Sequence, residues 1–322
     1  MTEKNCASPP SAFSVRILGC GSAKPTLRHA PSAQALFYHG RVFLIDCGEG
    51  VQIQMERYGV SAHKISDIFI SHLHGDHFLG LPGLLGTMCL NGRTTPVRVH
   101  ISAEGSRLLK AVTEVVSPGI GGMVEYCVME PGRRQCVYED AALEVHTVPL
   151  HHRVPACGFY FREKPKERHL RPDAIERYAI PYAALKAIKA GADYELPGGG
   201  RIANAELTAP PSPSLSYAYC SDTAFAADVA EAVRAVTVLY HEATYGDANA
   251  AKASMRGHST AREAGVVARI AGAGALVIGH YSAAVDDEEA LAMEAAEEFG
   301  GPVFAAAEGM LIEVRPAMQR NL

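Results

Sequence analysis

The chain has 322 residues, 48% apolar and 20% charged, which supplies a large buried core in one or two domains and excludes a disordered or fibrous chain. A formal net charge of −5 argues against indiscriminate nucleic-acid binding, which rewards positive charge, although a local basic patch remains compatible with it. No uncharged apolar run reaches the roughly 18 to 20 residues that span a bilayer, the opening MTEKNCASPPSAFSVRILG lacks the apolar stretch of an export signal, and eight cysteines are scattered without a C-x-x-C pair, so reduced thiols and a cytoplasmic location are expected.

Residues 1–12 are expected to form a flexible N-terminus. From there, strand-like runs of Val, Ile, Phe and Tyr occur at 13–18, 42–45, 65–70, 97–101 and 143–149, and again at 216–221, 237–241, 276–280 and 310–314. Helical patterns lie between many of them, at 80–90, 106–116, 224–233, 260–271 and 287–299. Strands mixed with helices over this length predict a layered α/β fold. Residues 162–214 break the rhythm: they are rich in Pro, Gly and charge, with two short helical patches at best. This segment opens with Arg162, Lys164, Lys166, Arg168 and Arg171 against Glu163 and Glu167. A charge run of this kind is ordinarily a solvated face; the functional reading is a protruding arm with a basic root, inserted into a single domain over 13–322.

The chemistry concentrates at SHLHGDHFLGLPGLL, residues 71–85, where His72, His74, Asp76 and His77 follow the apolar run 67–70. One histidine alone is usually a core or surface residue. Three with a carboxylate at a strand end, where pocket groups collect, call for another explanation. His152, Asp222 and His280 end apolar runs in the same way. Together these are five imidazoles and two carboxylates, enough for two divalent ions sharing a carboxylate. A His/Asp set without thiolate suits hydrolytic rather than structural zinc. The adjacent His151 and the nearby His146 are competitors for the role of His152, and strand alternation allows only one of His151 and His152 to face a metal. Asp46 and Glu49 follow a strand, where Asp46 could orient a ligand imidazole or serve a turn. The acidic run 286–289 reads as a helix start.

The H-x-H-x-D-H run, with His152, Asp222 and His280, resembles the metallo-β-lactamase superfamily of two-zinc hydrolases. A finer resemblance, over about 14–314, is to the ribonuclease Z family of tRNA 3′-processing endonucleases. It rests on Leu18-Gly-Cys-Gly-Ser22, Ile45-Asp-Cys-Gly-Glu49, GLPGLL, Ser221-Asp-Thr223, His241-Glu-Ala-Thr244, Gly257-His-Ser-Thr260 and Gly279-His-Tyr-Ser282. The resemblance implies a four-layer αββα sandwich with two Zn²⁺ per chain, manganese being the alternative ion. His72, His74 and His152 would hold one ion, Asp76, His77 and His280 the other, and Asp222 would bridge them. It further implies a precursor tRNA substrate, an arm that grips the tRNA elbow, and a homodimer in which the arm acts in trans. The expected reaction removes the 3′ trailer, leaving a tRNA 3′-hydroxyl and a 5′-phosphate on the trailer. Asp76 would be both ligand and proton acceptor, and Glu242 would orient His258 as proton donor to the leaving oxygen.

Two departures from the family pattern stand out. Ser282 is followed by Ala283, Ala284 and Val285 instead of the x-Arg-Tyr of the family, removing one basic contact near the scissile phosphate. The arm keeps Ile180-Pro181 without the Gly-Pro pair that often follows. The alternatives are a small-molecule phosphodiesterase or ester hydrolase of the same superfamily, and a noncatalytic RNA-binding scaffold.

Overall fold

The computed structural model describes residues 10–316, so residues 1–9 of the expected N-terminal tail lie outside the described residues. Two seven-stranded sheets dominate. In the first run β1 (Phe13–Gly19), β2 (Ala33–Tyr38), β3 (Arg41–Ile45), β4 (Ile65–Phe69), β5 (Val97–Ser102) and β6 (Val124–Met129). The second begins with β7 (Cys136–Glu139), β8 (Leu143–Leu150) and β9 (Ala156–Glu163). After the short pieces β10 (His169–Leu170), β11 (Tyr194–Glu195), β12 (Arg201–Ile202) and β13 (Thr208–Ala209), it resumes with β14 (Ser216–Cys220), β15 (Val238–Glu242), β16 (Ala275–Gly279) and β17 (Val303–Ala305). Last comes β18 (Leu311–Glu313), which returns to the edge of the first sheet beside β1. The strand order is β18-β1-β2-β3-β4-β5-β6 in one sheet and β17-β16-β15-β14-β9-β8-β7 in the other.

Alternation along the strands builds the layers. On β3, Val42 and Leu44 join an apolar cluster with Met55, Leu81, Leu85 and Leu109 from helices Val51–Arg57, Leu81–Leu90 and Ala103–Val116. Phe43 points the other way, where Phe43 and Phe69 of the first sheet meet Phe159 and Phe161 of the second at ring-centroid distances of 5.3 to 6.1 Å. One face of the sheet thus holds helices and the other holds the partner sheet, which is the αββα arrangement. The strand runs ending at 70, 221 and 280 fall on β4, β14 and β16; β2, β6, β7, β17 and the helices Val51–Arg57 and Ala250–Arg256 are additional to the sequence-based pattern.

Residues 162–214, with Asp140–Leu143, form a second compact unit. It has its own small core: Ala174, Ile188 and Leu207 come from helices Pro172–Arg177, Tyr182–Lys189 and Asn204–Leu207, Ile202 from β12, and Ile180 from the turn between the first two helices. The Asn204 side-chain amide donates to the carbonyls of Ile188 and Ala192 at 2.7 and 2.8 Å, closing the helices onto the β11–β12 ladder. Part of its basic opening is already engaged: Lys166 pairs with Glu163 at 2.7 Å, and Arg168 and Arg171 donate to the Thr208 hydroxyl and carbonyl. No helix among the described residues is long and apolar enough to cross a membrane. The seven described cysteines are unpaired.

Candidate metal centre

Parallel strands put their carboxyl ends on one edge of a sheet, where open α/β folds collect functional groups. In the first sheet β3, β4 and β5 are parallel, and in the second β14, β15 and β16 are. Asp46 follows β3, the run from Ser71 follows β4, Asp222 follows β14, Glu242 ends β15 and His280 follows β16. Asp76 and His77 sit on the short helix Gly75–Phe78. That helix is held close by glycines: a Cβ on Gly48 would lie 2.4 Å from the Asp76 carbonyl oxygen, and one on Gly80 would lie 2.1 Å from that of Gly48. The glycines of the Asp-Cys-Gly-Glu and GLPGLL motifs are therefore spacers that let two loops touch backbone to backbone.

Every expected ligand converges on this edge. His72 Nε2 is 3.0 Å and His152 Nε2 3.3 Å from His74 Nδ1. His77 Nε2 and His280 Nε2 are 3.3 Å apart, and Asp76 Oδ2 lies 3.7 and 3.5 Å from them. Asp222 stands between the two groups: its Oδ2 is 3.6 Å from both His72 and His152, its Oδ1 3.1 Å from both His77 and His280.

The outer nitrogens decide what the inner ones are. Ser71 Oγ donates to Asp46 at 2.9 Å, so it accepts from His72 Nδ1 at 3.0 Å. His77 Nδ1 donates to Asp46 Oδ2 at 2.7 Å and His152 Nδ1 to the Gly257 carbonyl at 2.8 Å. Thr244 Oγ1 donates to Glu242 at 2.5 Å and accepts from His280 Nδ1 at 2.9 Å. With Nδ1 carrying a proton in each, all four rings turn Nε2 inward, the nitrogen whose lone pair a metal would take. Burial and the neighbouring histidines hold His72, His74 and His152 below the ordinary imidazole pKa, which keeps them neutral; Asp222 pulls against this. His77 goes the other way: burial opposes its charge, but Asp222 and Asp46 raise it, the same negative field that draws a divalent cation. Lone pairs 3.0–3.3 Å apart repel unless a cation lies among them, and donors about 2.0–2.1 Å from one tetrahedral zinc would themselves be about 3.3 Å apart. The donor set therefore fits a divalent metal.

Beside this cluster, buried Glu242 accepts from the Thr223 and Ser259 amides at 2.7 and 3.2 Å as well as from His258 Nδ1 at 2.9 Å. Burial disfavours the His258 cation, yet Glu242 raises its pKa above the usual value. His258 lines the same cleft as Asp76, Asp222 and His280. Asp76 accepts from the Ala23 amide at 2.6 Å; burial works against its charge, but the neighbouring His280 and His77 hold its pKa well down. His151 is exposed and pairs with Asp228 at 2.8 Å, and His146 sits beside Glu144. Asp287 caps helix Glu288–Phe299 by accepting from Ala290.

A third grouping of metal-competent atoms, Cys20, His29 and Glu308, is chemically different. His29 contacts Glu308 through Nδ1 at 3.1 Å and Glu288 through Nε2 at 3.0 Å, and these carboxylates, Glu308 foremost, raise its pKa. An imidazolium donating from both nitrogens has no lone pair for a metal; this cluster is a latch between the loop after β1 and the segments around 288 and 308.

Two seven-stranded sheets sandwiched by helices, with histidines and aspartates gathered at the strand ends, define a metallo-β-lactamase-fold hydrolase. A protein named Ribonuclease Z from Porphyromonas gingivalis W83 is 44% identical over 94% of this chain and 100% of its own length. Another of that name, from Phocaeicola vulgatus, is 42% identical over 91% of this chain and 95% of its own. The chain belongs to the ribonuclease Z family. Among solved structures, human tRNase Z, short form, superposes with a TM-score of 0.66 at 24% identity, covering 94% of this chain and 99% of that one. The metallo-β-lactamase fold protein YhfI from Bacillus subtilis gives 0.66 at 18% identity, covering 94% and 100%. A family model described as anti-Pycsar protein Apyc1 matches residues 13–164.

Proposed function

We propose that the chain is a zinc-dependent endoribonuclease that removes the 3′ trailer of precursor tRNA, with His72, His74 and His152 holding one ion, Asp76, His77 and His280 a second, and Asp222 bridging. The observation that carries this is the pair of Asp222 oxygens, each turned to a different cluster of inward-facing imidazole nitrogens. Bound there, the ions would lower the pKa of water and neutralise charge developing on the scissile phosphate.

The chain's own groups do the rest. Asp76, fixed by the Ala23 amide and kept ionised, faces the cleft as an acceptor for the nucleophile's proton. His258 uses Nδ1 for Glu242, so its remaining N–H, on Nε2, is free to protonate the leaving 3′ oxygen. The raised pKa keeps that proton in place near neutrality. Residues 162–214, a compact unit with a basic opening, are suited to hold the tRNA elbow, acting in trans in a homodimer.

The test is incubation of the purified protein with a 3′-extended precursor tRNA and mapping of the cut. A single cut leaving a tRNA 3′-hydroxyl and a 5′-phosphate on the trailer is expected. Hydrolysis of a small diester with no action on precursor tRNA would replace this reading with a small-molecule phosphodiesterase.

A further inference from the structure

The cleft over the Asp76–Asp222–His280 edge is lined by three basic side chains, Lys24, Arg153 and Arg256. All three are exposed. None has a carboxylate within ion-pair distance among the described residues, whereas Arg28, Arg98, Arg234 and Arg262 elsewhere are each paired with an acid. Arg153 lines the cleft together with His258 and directly follows His152 in the chain. Arg256 ends helix Ala250–Arg256, and its guanidinium donates to the Tyr245 hydroxyl at 3.4 Å. The next residue, Gly257, turns the chain at φ +70, and a Cβ on it would stand 3.5 Å from Arg153 Cγ, so both arginines flank one turn. Across the cleft Ala283 is a lining residue, and neither it nor Ala284 brings a cation from the β16 end.

Uncompensated cations crowding one rim of a chain with net charge −5 repel each other. An anion there would relieve that repulsion. One phosphodiester would occupy the floor at the metal ligands, which leaves the rim for other phosphates. We infer that Lys24, Arg153 and Arg256 form a phosphate-binding rim that holds the phosphodiester groups neighbouring the one that is cut, and so select a polynucleotide over an isolated diester. The inference rests on the proposed endoribonuclease reading and names how that site grips its substrate. Arginine suits such a rim because its planar fork meets two phosphate oxygens at once.

The test uses the metal-loaded protein and an oligonucleotide of nine deoxythymidines as a competitive inhibitor of bis(p-nitrophenyl) phosphate hydrolysis, with its inhibition constant followed against salt. Each phosphate contact to a single strand contributes a slope of about 0.7 in log affinity against log salt. Replacing Lys24, Arg153 and Arg256 together by Gln should flatten the slope by about 2 and weaken inhibition at low salt by at least tenfold. Arg153→Lys with Arg256→Lys should restore most of the slope, which a misfolded protein cannot do, and Arg234→Gln, at the opposite end of the strands, should leave it as in the parent. An unchanged slope in the triple variant, or failure of the lysine pair to restore it, overturns the rim. If the parent does not cut precursor tRNA but the triple variant still loses the slope, the rim stands and the tRNA reading falls; an unchanged slope in a protein that cuts precursor tRNA gives the reverse.

Discussion

Replacing His258 by Ala removes one charge-assisted hydrogen bond from Glu242 and leaves three of its partners, the Thr223 and Ser259 amides and the Thr244 hydroxyl. The stability cost should therefore be about 1.5–3 kcal/mol, the value of one hydrogen bond to a charged group. Catalysis should lose more: a general acid contributes about 10²- to 10⁴-fold, or roughly 3–5 kcal/mol of barrier. Metal content should stay at the parent level, because the ring's inner neighbours, His152 and His280, keep their own anchors on Gly257 and Thr244. Single-turnover cleavage of precursor tRNA against pH, with elemental analysis of the same samples, reads all of this. In the parent, activity should fall on the alkaline side as His258 loses its proton, at a pH above the ordinary imidazole value because Glu242 raises its pKa. Glu242→Gln should move that limb to lower pH, since the carboxylate that supports the cation is gone. It is also the harsher change structurally, as an amide nitrogen would meet the Thr223 or Ser259 N–H. If His258→Ala lost metal and kept its rate per bound metal, the residue would be a ligand and the proton-donor role would be wrong.

Asp46→Asn removes the charge that holds the His77 Nδ1 proton and sets an amide nitrogen against either the Ser71 N–H or the donors on Oδ2, and metal titration should show a 10- to 100-fold weaker second site, as for other groups that orient ligands; equal affinity would refute the orienting role. Excising 162–214 with a short linker should spare hydrolysis of bis(p-nitrophenyl) phosphate while precursor tRNA cleavage collapses, and a mixed dimer of that protein with an armed Asp76→Ala subunit should recover cleavage; unchanged tRNA cleavage by the armless protein would remove the arm from recognition. The His29 latch has a raised folded-state pKa, so its contribution to stability is complete below about pH 6.5 and disappears as pH rises through the raised value. The gap in melting temperature between the parent and His29→Gln should thus narrow only above about pH 6.5, and a pH-independent gap would show that the cation is irrelevant.

The donor atoms were legible in the sequence because each stands at the end of an apolar run, where alternation gives way to a polar residue that the strand does not need. Their assembly followed from family resemblance, since no spacing rule relates His72 to His280. Of the groups that orient them, Asp46 was legible as the acid that closes a strand, and it does hold His77; the others were not. Ser71 and Thr244 look like ordinary turn residues, and the carbonyl of Gly257 reaches His152 across 105 positions as backbone, invisible to residue type. Tyr219, whose hydroxyl donates to Asp46 at 2.7 Å, reads as one more strand aromatic. Strand β2, Ala-Gln-Ala-Leu-Phe-Tyr, has no β-branched residue and opens on two alanines around a buried amide, so it lacks the signature that marked its neighbours although Leu36 and Tyr38 are buried.

Asp46, Asp222 and His280 all take positive φ, at 56, 62 and 61 degrees, a left-handed turn that side chains other than glycine enter only at a cost of order 1–3 kcal/mol each. The cleft is thus a spring as well as a ligand cage: the strands run straight and then turn sharply to aim a carboxylate or an imidazole inward. Chemistry and foldability pull apart at these three positions. Glycine would release the backbone and lose the donor, whereas alanine would lose the donor and keep the strain. In the metal-free protein Asp222→Gly should therefore melt above Asp222→Ala, and a selection for stability alone should drift toward glycine at these turns, dismantling the metal cage from its backbone outward.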